Sequence, residues 1–178
     1  MPVAGQVITT VPSNIVHAIV PSPVGEFTLV GHGGKLSGVY FPEHVRRPDQ
    51  DSFGPRDDAA FPLAVAQLAE YFAGTRTTFD LELAPRGNGF QRKVWAQLIE
   101  IPYGQTRTYG QLALALGDPG LARAVGAANG QNPLSIIVPC HRVVGSDGKL
   151  TGYAGGLHRK AFLIELETAQ EHRAATLF

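Results

Sequence analysis

Apolar and polar positions alternate in short runs through the first forty residues, the period of strands with one buried face. Residues 14–20, 26–31 and 35–41 form three such runs, separated by Pro21-Ser22-Pro23-Val24-Gly25 and by Gly33-Gly34. Turn-forming residues at both breaks predict an antiparallel meander. Residues 42–58, rich in Pro, Arg and Asp, carry no period and read as exposed loop. From about Asp58 the period changes, because Phe61, Val65, Leu68 and Phe72 fall on one face of a helix that Gly74 stops. Residues 78–83 are expected to add a strand, and Ala84-Pro85-Arg86-Gly87-Asn88-Gly89 reads as a linker. This divides the chain into domains of residues 1–85 and 86–178.

Beyond the linker the pattern is mostly helical. Phe90, Val94, Leu98 and Ile101 mark one amphipathic helix ending at Pro102-Tyr103-Gly104. Thr108 is a plausible N-cap for a helix over residues 109–116, and Gly117-Asp118-Pro119-Gly120 breaks it before another over 121–129, closed by Gly130. Two short helices about a Gly-containing turn predict a helix-turn-helix. Residues 135–138 form an apolar run of strand type that Pro139 interrupts, just before Cys140-His141-Arg142-Val143-Val144. Residues 146–149 form a turn, Gly155-Gly156 a flexible step, and a last helix over 157–169 shows apolar Leu157, Ala161, Ile164 and Leu166. Strands first and helices after give the α+β class.

The composition, 44% hydrophobic and 17% charged, belongs to a globular protein rather than a disordered or collagenous one. Apolar runs are too short to span a membrane, and the first twenty residues lack a basic segment followed by an apolar block. A cytoplasmic location is therefore expected. One cysteine cannot form an internal disulfide or a thiolate zinc cluster, and the six histidines show no ligand spacing, so no metal is expected. The net charge of zero conceals an asymmetry. Residues 1–85 carry five basic and nine acidic side chains, residues 86–160 nine and three, and residues 161–178 one and three. A net +6 segment between acidic ends fits either an anionic partner or a solvated basic face.

A lone cysteine is by default a small buried hydrophobe. Cys140, however, is followed by His141 and Arg142, both able to favour the nucleophilic thiolate. Neighbours on a regular strand point to opposite faces, so contact between Cys140 and His141 needs a turn or a bridging water. In residues 121–129 nearly every side chain is small and Arg123 alone is long and cationic. Such a helix suits close packing, or a narrow minor groove entered by Arg123.

Pro139-Cys140-His141-Arg142-Val143-Val144 resembles the active-site signature of the O6-alkylguanine-DNA alkyltransferases. Ile101-Pro102-Tyr103-Gly104, Thr108-Tyr109, Ala122-Arg123-Ala124-Val125-Gly126, Asn132-Pro133 and Tyr153 with Gly155-Gly156-Leu157 are similar to that family's pattern in order and spacing, covering residues 90–168. The resemblance implies a ribonuclease-H-like first domain with an antiparallel sheet and helix, and a mostly helical, winged-helix-like second domain. It further implies direct repair: Cys140 takes the alkyl group from O6-alkylguanine in double-stranded DNA, in a single turnover and without a cofactor. His141 would act through a water, Glu167 would orient His141, and Asn132 would be the hinge between recognition helix and active-site segment. Tyr109 would contact the extruded base and Arg123 fill the vacated stack, with Ala122, Ala124, Gly126 and Ala127 in the minor groove. Val143, Tyr153 and Ala154 would line the base pocket, although family members often carry a hydroxyl residue where this chain has Ala154. A monomer in solution is implied, while cooperative binding on DNA and activity on O4-alkylthymine stay open. A non-catalytic lesion binder lacks such a cysteine, a transcription factor would show a more varied polar recognition helix, and a cysteine hydrolase would need an oxyanion-hole motif that is not visible.

Overall fold

The computed structural model describes residues 14–176. Strands β1 (Val16–Val20), β2 (Phe27–His32) and β3 (Lys35–Tyr40) form an antiparallel sheet in chain order, as their alternation predicts. The register pairs Ala18 with Leu29 and Leu29 with Val39, three core side chains in one row across the sheet. A bulge between Val30 and Gly31 lets the strand pass so close to the Lys35 carbonyl that a Cβ on Gly31 would collide with it. Both margins of this sheet are capped by the chain itself. His17 on β1 exchanges backbone bonds with Pro55 and Asp57, while on β3 Leu36 pairs with Glu82 and Ala84 and Val39 takes the Pro133 carbonyl.

Residues 78–83 therefore form no strand. They contribute an isolated bridge from Leu83 to Leu36. Helix α1 spans Pro62–Phe72, four residues later than the pattern predicts. Asp58 is committed elsewhere, accepting from the Ile19 N–H and from Arg56, and Pro62 opens the helix where a missing N–H costs nothing.

Helices α2 (Gly89–Ile99), α3 (Tyr109–Ala115) and α4 (Ala122–Gly130) follow. Asn88 and Thr108 each form a capping box, their side chains accepting the N–H of Gln91 and Gln111 while those glutamines reach back. Short strands β4 (Arg107–Thr108) and β5 (Val143–Val144) pair in parallel, which ties the entrance of α3 to the segment after Cys140. Buried Leu98, Val125 and Leu163 join Leu29, Leu68 and Leu134 in one core, so sheet and helices share a single interior.

Three further expectations fail for physical reasons. Residues 135–138 are buried and apolar but not a strand: Ile137 donates to the Ser135 carbonyl across Ile136 (φ 73°), Val138 to Leu134, and Cys140 to Val138 across Pro139 (φ −81°, ψ 64°). These are consecutive tight turns, and a positive φ at a β-branched residue is a costly conformation held by its surroundings. Helix α5 (Leu157–Thr176) runs past residue 169 and buries Arg159, Lys160, Leu163 and Glu167, while Leu157 is exposed. Its inner face is thus largely charged, which an apolar stripe cannot reveal. Gly155 is likewise no flexible step, since it lies so close to the Phe41 ring that a Cβ would overlap it.

Thr108→Ala removes the α3 cap and should cost about 1 kcal/mol in urea unfolding, whereas Thr108→Ser should restore most of it.

Candidate active site

Cys140, His141 and Arg142 form one turn of 3₁₀ helix following the tight turn at Pro139. This turn supplies the break from strand geometry that contact between neighbouring Cys and His side chains requires. Cys140 is 4% exposed and His141 fully buried. Nε2 of His141 lies 2.7 Å from Glu167 Oε1, and its Nδ1 has no protein partner. Glu167 also receives Arg142 Nε at 2.9 Å and Nη2 at 3.0 Å, the Tyr71 hydroxyl at 2.7 Å and the Gly104 N–H at 3.3 Å. The remaining Arg142 nitrogen donates to the Ile101 carbonyl at 2.7 Å.

These bonds fix the protonation states. Burial alone would push the Glu167 carboxyl up, but the hydrogen bonds and charges of His141 and Arg142 outweigh it and hold its pKa at about 2. Burial drives His141 below its ordinary value, towards neutral imidazole. An ionised carboxylate only accepts, so Nε2 carries the ring proton and Nδ1 presents a lone pair.

Burial raises the Cys140 thiol above its ordinary value, against a hydrogen bond from Asn132 and the charge of Lys160. This corrects the expectation that Arg142 favours the thiolate: its guanidinium is spent on Glu167 and Ile101. The neighbouring cation is Lys160, fully buried, donating to the Thr151 and Gly152 carbonyls, its pKa lowered by burial to about 8. Asn132 holds the turns before Cys140 by donating to the Val138 carbonyl at 2.8 Å and accepting from the Leu134 N–H at 3.0 Å.

A cavity of about 320 Å³ is lined by Tyr109, Gly126, Ala127, Tyr153 and Ala154, together with Asn129, Gly130, Gly152, Val45 and Arg46. Five predicted residues are thus brought together. Val143, predicted as pocket wall, is fully buried in β5 and does not line it. Tyr109 reaches the Thr151 carbonyl at 3.3 Å and packs beside Gly126. On α4, Val125, Ala128 and Asn129 face inward while Arg123, Ala124 and Ala127 are exposed, and Ala122 is half-buried. A larger cleft of about 660 Å³, between the sheet and residues 130–133, shares the Val45–Arg46 wall and includes Asn132 but neither Tyr109 nor Tyr153, and Cys140 lines neither cavity. The smaller cavity is the one that gathers Tyr109 and Tyr153.

Two family models match the chain. The ribonuclease-like domain of 6-O-methylguanine DNA methyltransferase covers residues 15–85, and the DNA binding domain of the same enzyme covers residues 89–169. The chain belongs to the 6-O-methylguanine DNA methyltransferase family. The methylated-DNA–protein-cysteine methyltransferase of Mycobacterium tuberculosis is 52% identical over 159 residues, 89% of this chain and 96% of its own. That of Methanosarcina acetivorans is 48% identical over 151 residues, 85% and 97% of the two chains. The crystal structure of Mycobacterium tuberculosis OGT in complex with DNA superposes with a TM-score of 0.83 at 52% identity, covering 86% of this chain and 93% of that one. The O6-methylguanine-DNA methyltransferase of Pyrococcus kodakaraensis gives 0.52 at 25% identity, covering 86% and 98%. Membership of this methyltransferase family makes the protein's function direct repair of alkylated DNA, with a protein cysteine as acceptor.

Sequence reasoning missed Tyr71, Lys160, Val45 and Arg46. Tyr71 was hidden in an ordinary amphipathic helix and Lys160 in an ordinary run of charges. Arg46 lies in a loop without period, where only its left-handed backbone (φ 63°) is unusual. Among the described residues no group of His, Cys, Asp and Glu is arranged to hold a metal ion, and no helix is long and apolar enough to cross a membrane.

Because the folded Glu167 pKa lies below its ordinary value of 4.5, its contribution to stability is complete above that value and is lost as pH falls towards 2. Glu167→Gln should cost about 3–5 kcal/mol at neutral pH by leaving Arg142 buried without its counter-charge. The difference from wild type should narrow between pH 4.5 and 2 in urea titrations.

Proposed function

We propose that Cys140 is the alkyl acceptor and that the substrate is O6-alkylguanine in double-stranded DNA. The observation that carries this reading is the buried, unpartnered Nδ1 of His141, one residue from the only cysteine and fixed as an acceptor by Glu167. A water between Nδ1 and the thiol would pass the proton to His141 as sulfur attacks the alkyl carbon. The C–O bond breaks, guanine leaves with the bonding pair and takes up a proton, and a thioether remains. Thioethers are not readily hydrolysed, so each molecule repairs one lesion.

An alkyl carbon stacked inside a duplex is out of reach of a thiol, so the nucleotide is flipped out, at a cost of a few kcal/mol. Arg123, exposed on α4 among Ala122, Ala124, Gly126 and Ala127, would enter the minor groove and fill the gap. The 320 Å³ cavity would receive the base, with Tyr109 beside it and the Ala154 N–H available to O6 in place of a hydroxyl. Asn132 would act as the hinge joining α4 to the turns that carry Cys140. Residues 1–85 and 86–178 would form two domains, of which 1–13 and 177–178 lie outside the described residues. The protein would work as a cytoplasmic monomer without metal or cofactor.

Incubation with duplex DNA containing O6-methylguanine should add one CH₂ unit of mass to the Cys140 peptide. Unmodified Cys140 in a folded sample with excess lesion would instead favour a lesion binder. Cys140→Ser should abolish transfer and keep DNA affinity. Arg123→Ala should slow transfer from duplex by about tenfold or more and leave transfer from free O6-alkylguanine base near wild type, given the few kcal/mol needed for extrusion.

A further inference from the structure

Besides Arg142 Nη2, Glu167 Oε1 accepts from two groups far apart in the sequence: the His141 ring at 2.7 Å and the Tyr71 hydroxyl at 2.7 Å. Tyr71 lies on α1, beside the sheet, and is fully buried. Burial and the adjacent carboxylate raise its pKa well above the ordinary value, so it remains a neutral donor. Arg142 grips both carboxylate oxygens and Gly104 adds an N–H to Oε2, which fixes the carboxylate plane. With the plane fixed, the two donors draw on the electron density of a single oxygen.

We propose that Tyr71 is a positioning residue for alkyl transfer, through which the sheet-bearing part of the chain sets how strongly Glu167 pulls on the His141 proton. A carboxylate oxygen already occupied by a phenol holds a neutral imidazole well but stabilises an imidazolium less. His141 then keeps its Nδ1 lone pair free at neutral pH, as a proton acceptor for Cys140 must. Around this pair Arg142 is bound to Glu167, Lys160 faces His141 from α5 with its pKa lowered by burial to about 8, above the acid limb, and the Tyr103 phenol, facing Glu167, is raised by burial. The proposal rests on the His141–Glu167 relay described above.

The test is the rate of alkyl transfer from free O6-benzylguanine as a function of pH, a substrate that bypasses DNA binding. In wild type the rate should fall on the acid side as His141 becomes protonated. Tyr71→Phe should move that limb upward by about half a pH unit, roughly threefold in rate along the limb. Incorporating 3,5-difluorotyrosine at position 71, a stronger donor, should move it downward. If Tyr71→Phe does not fold, the fluorinated protein and nitrogen NMR titration of the His141 ring provide the same comparison. An unmoved limb in these proteins, with any rate loss equal at all pH values, overturns the proposal and makes Tyr71 a packing residue. Glu167→Gln separates the two levels. If it changes the limb while the position-71 proteins do not, the relay stands and the Tyr71 role falls; if it transfers with the wild-type rate and profile, the relay itself is wrong.

Discussion

A single buried carboxylate organises this molecule. Glu167 is 1% exposed yet ionised, and it accepts from Tyr71, Gly104, His141 and Arg142. Those donors come from α1, the loop after α2 and the 3₁₀ turn at Cys140, so elements far apart in sequence converge on one side chain of α5. An ion in a low-dielectric interior is tolerable only with this degree of compensation. The arrangement explains why α5 turns a charged face inward and why Arg142, adjacent to Cys140 and His141, serves the carboxylate rather than the thiol. It also fixes the tautomer of His141.

The Cys140–His141 pair is in the reverse position. Cys140 and His141 are buried without full compensation: the thiol is raised by burial, and the Nδ1 of the ring is unpartnered. The turns that present them pass through Ile136 in a left-handed conformation and are clamped by Asn132. The strained Ile136 and the unpartnered Nδ1 of His141 thus concentrate in one short segment, beside a carboxylate that is fully satisfied. Such concentration is expected where structure is held for chemistry rather than for stability alone.

Much of the fold was legible because its strands and first helices obey simple periods. The meander, the helix-turn-helix and the cap at Thr108 follow from local residue chemistry. Residues 135–138 did not, since a run of apolar residues looks the same whether it is a strand or a series of buried turns. Helix α5 was found but its inner face was not, because Arg159, Lys160 and Glu167 contradict the rule that the buried stripe is apolar. At the site, Cys140 and His141 stood out by their setting and Glu167 and Asn132 entered only through the family resemblance, whereas Tyr71 and Arg46 arrive from the other half of the chain through tertiary packing. No local pattern records such a meeting.

The capped sheet bears on how much of the protein can accumulate. Three strands with bare margins would offer backbone donors and acceptors to any neighbouring copy and seed ribbon-like aggregates. Here residues 55–57 cover one margin and residues 82–84 and 133 the other, so neither is left as a template. If each molecule is spent on one lesion, repair capacity is simply the number of copies in the cell. A sheet that cannot zip onto its own kind lets that number be large while the stock stays dispersed.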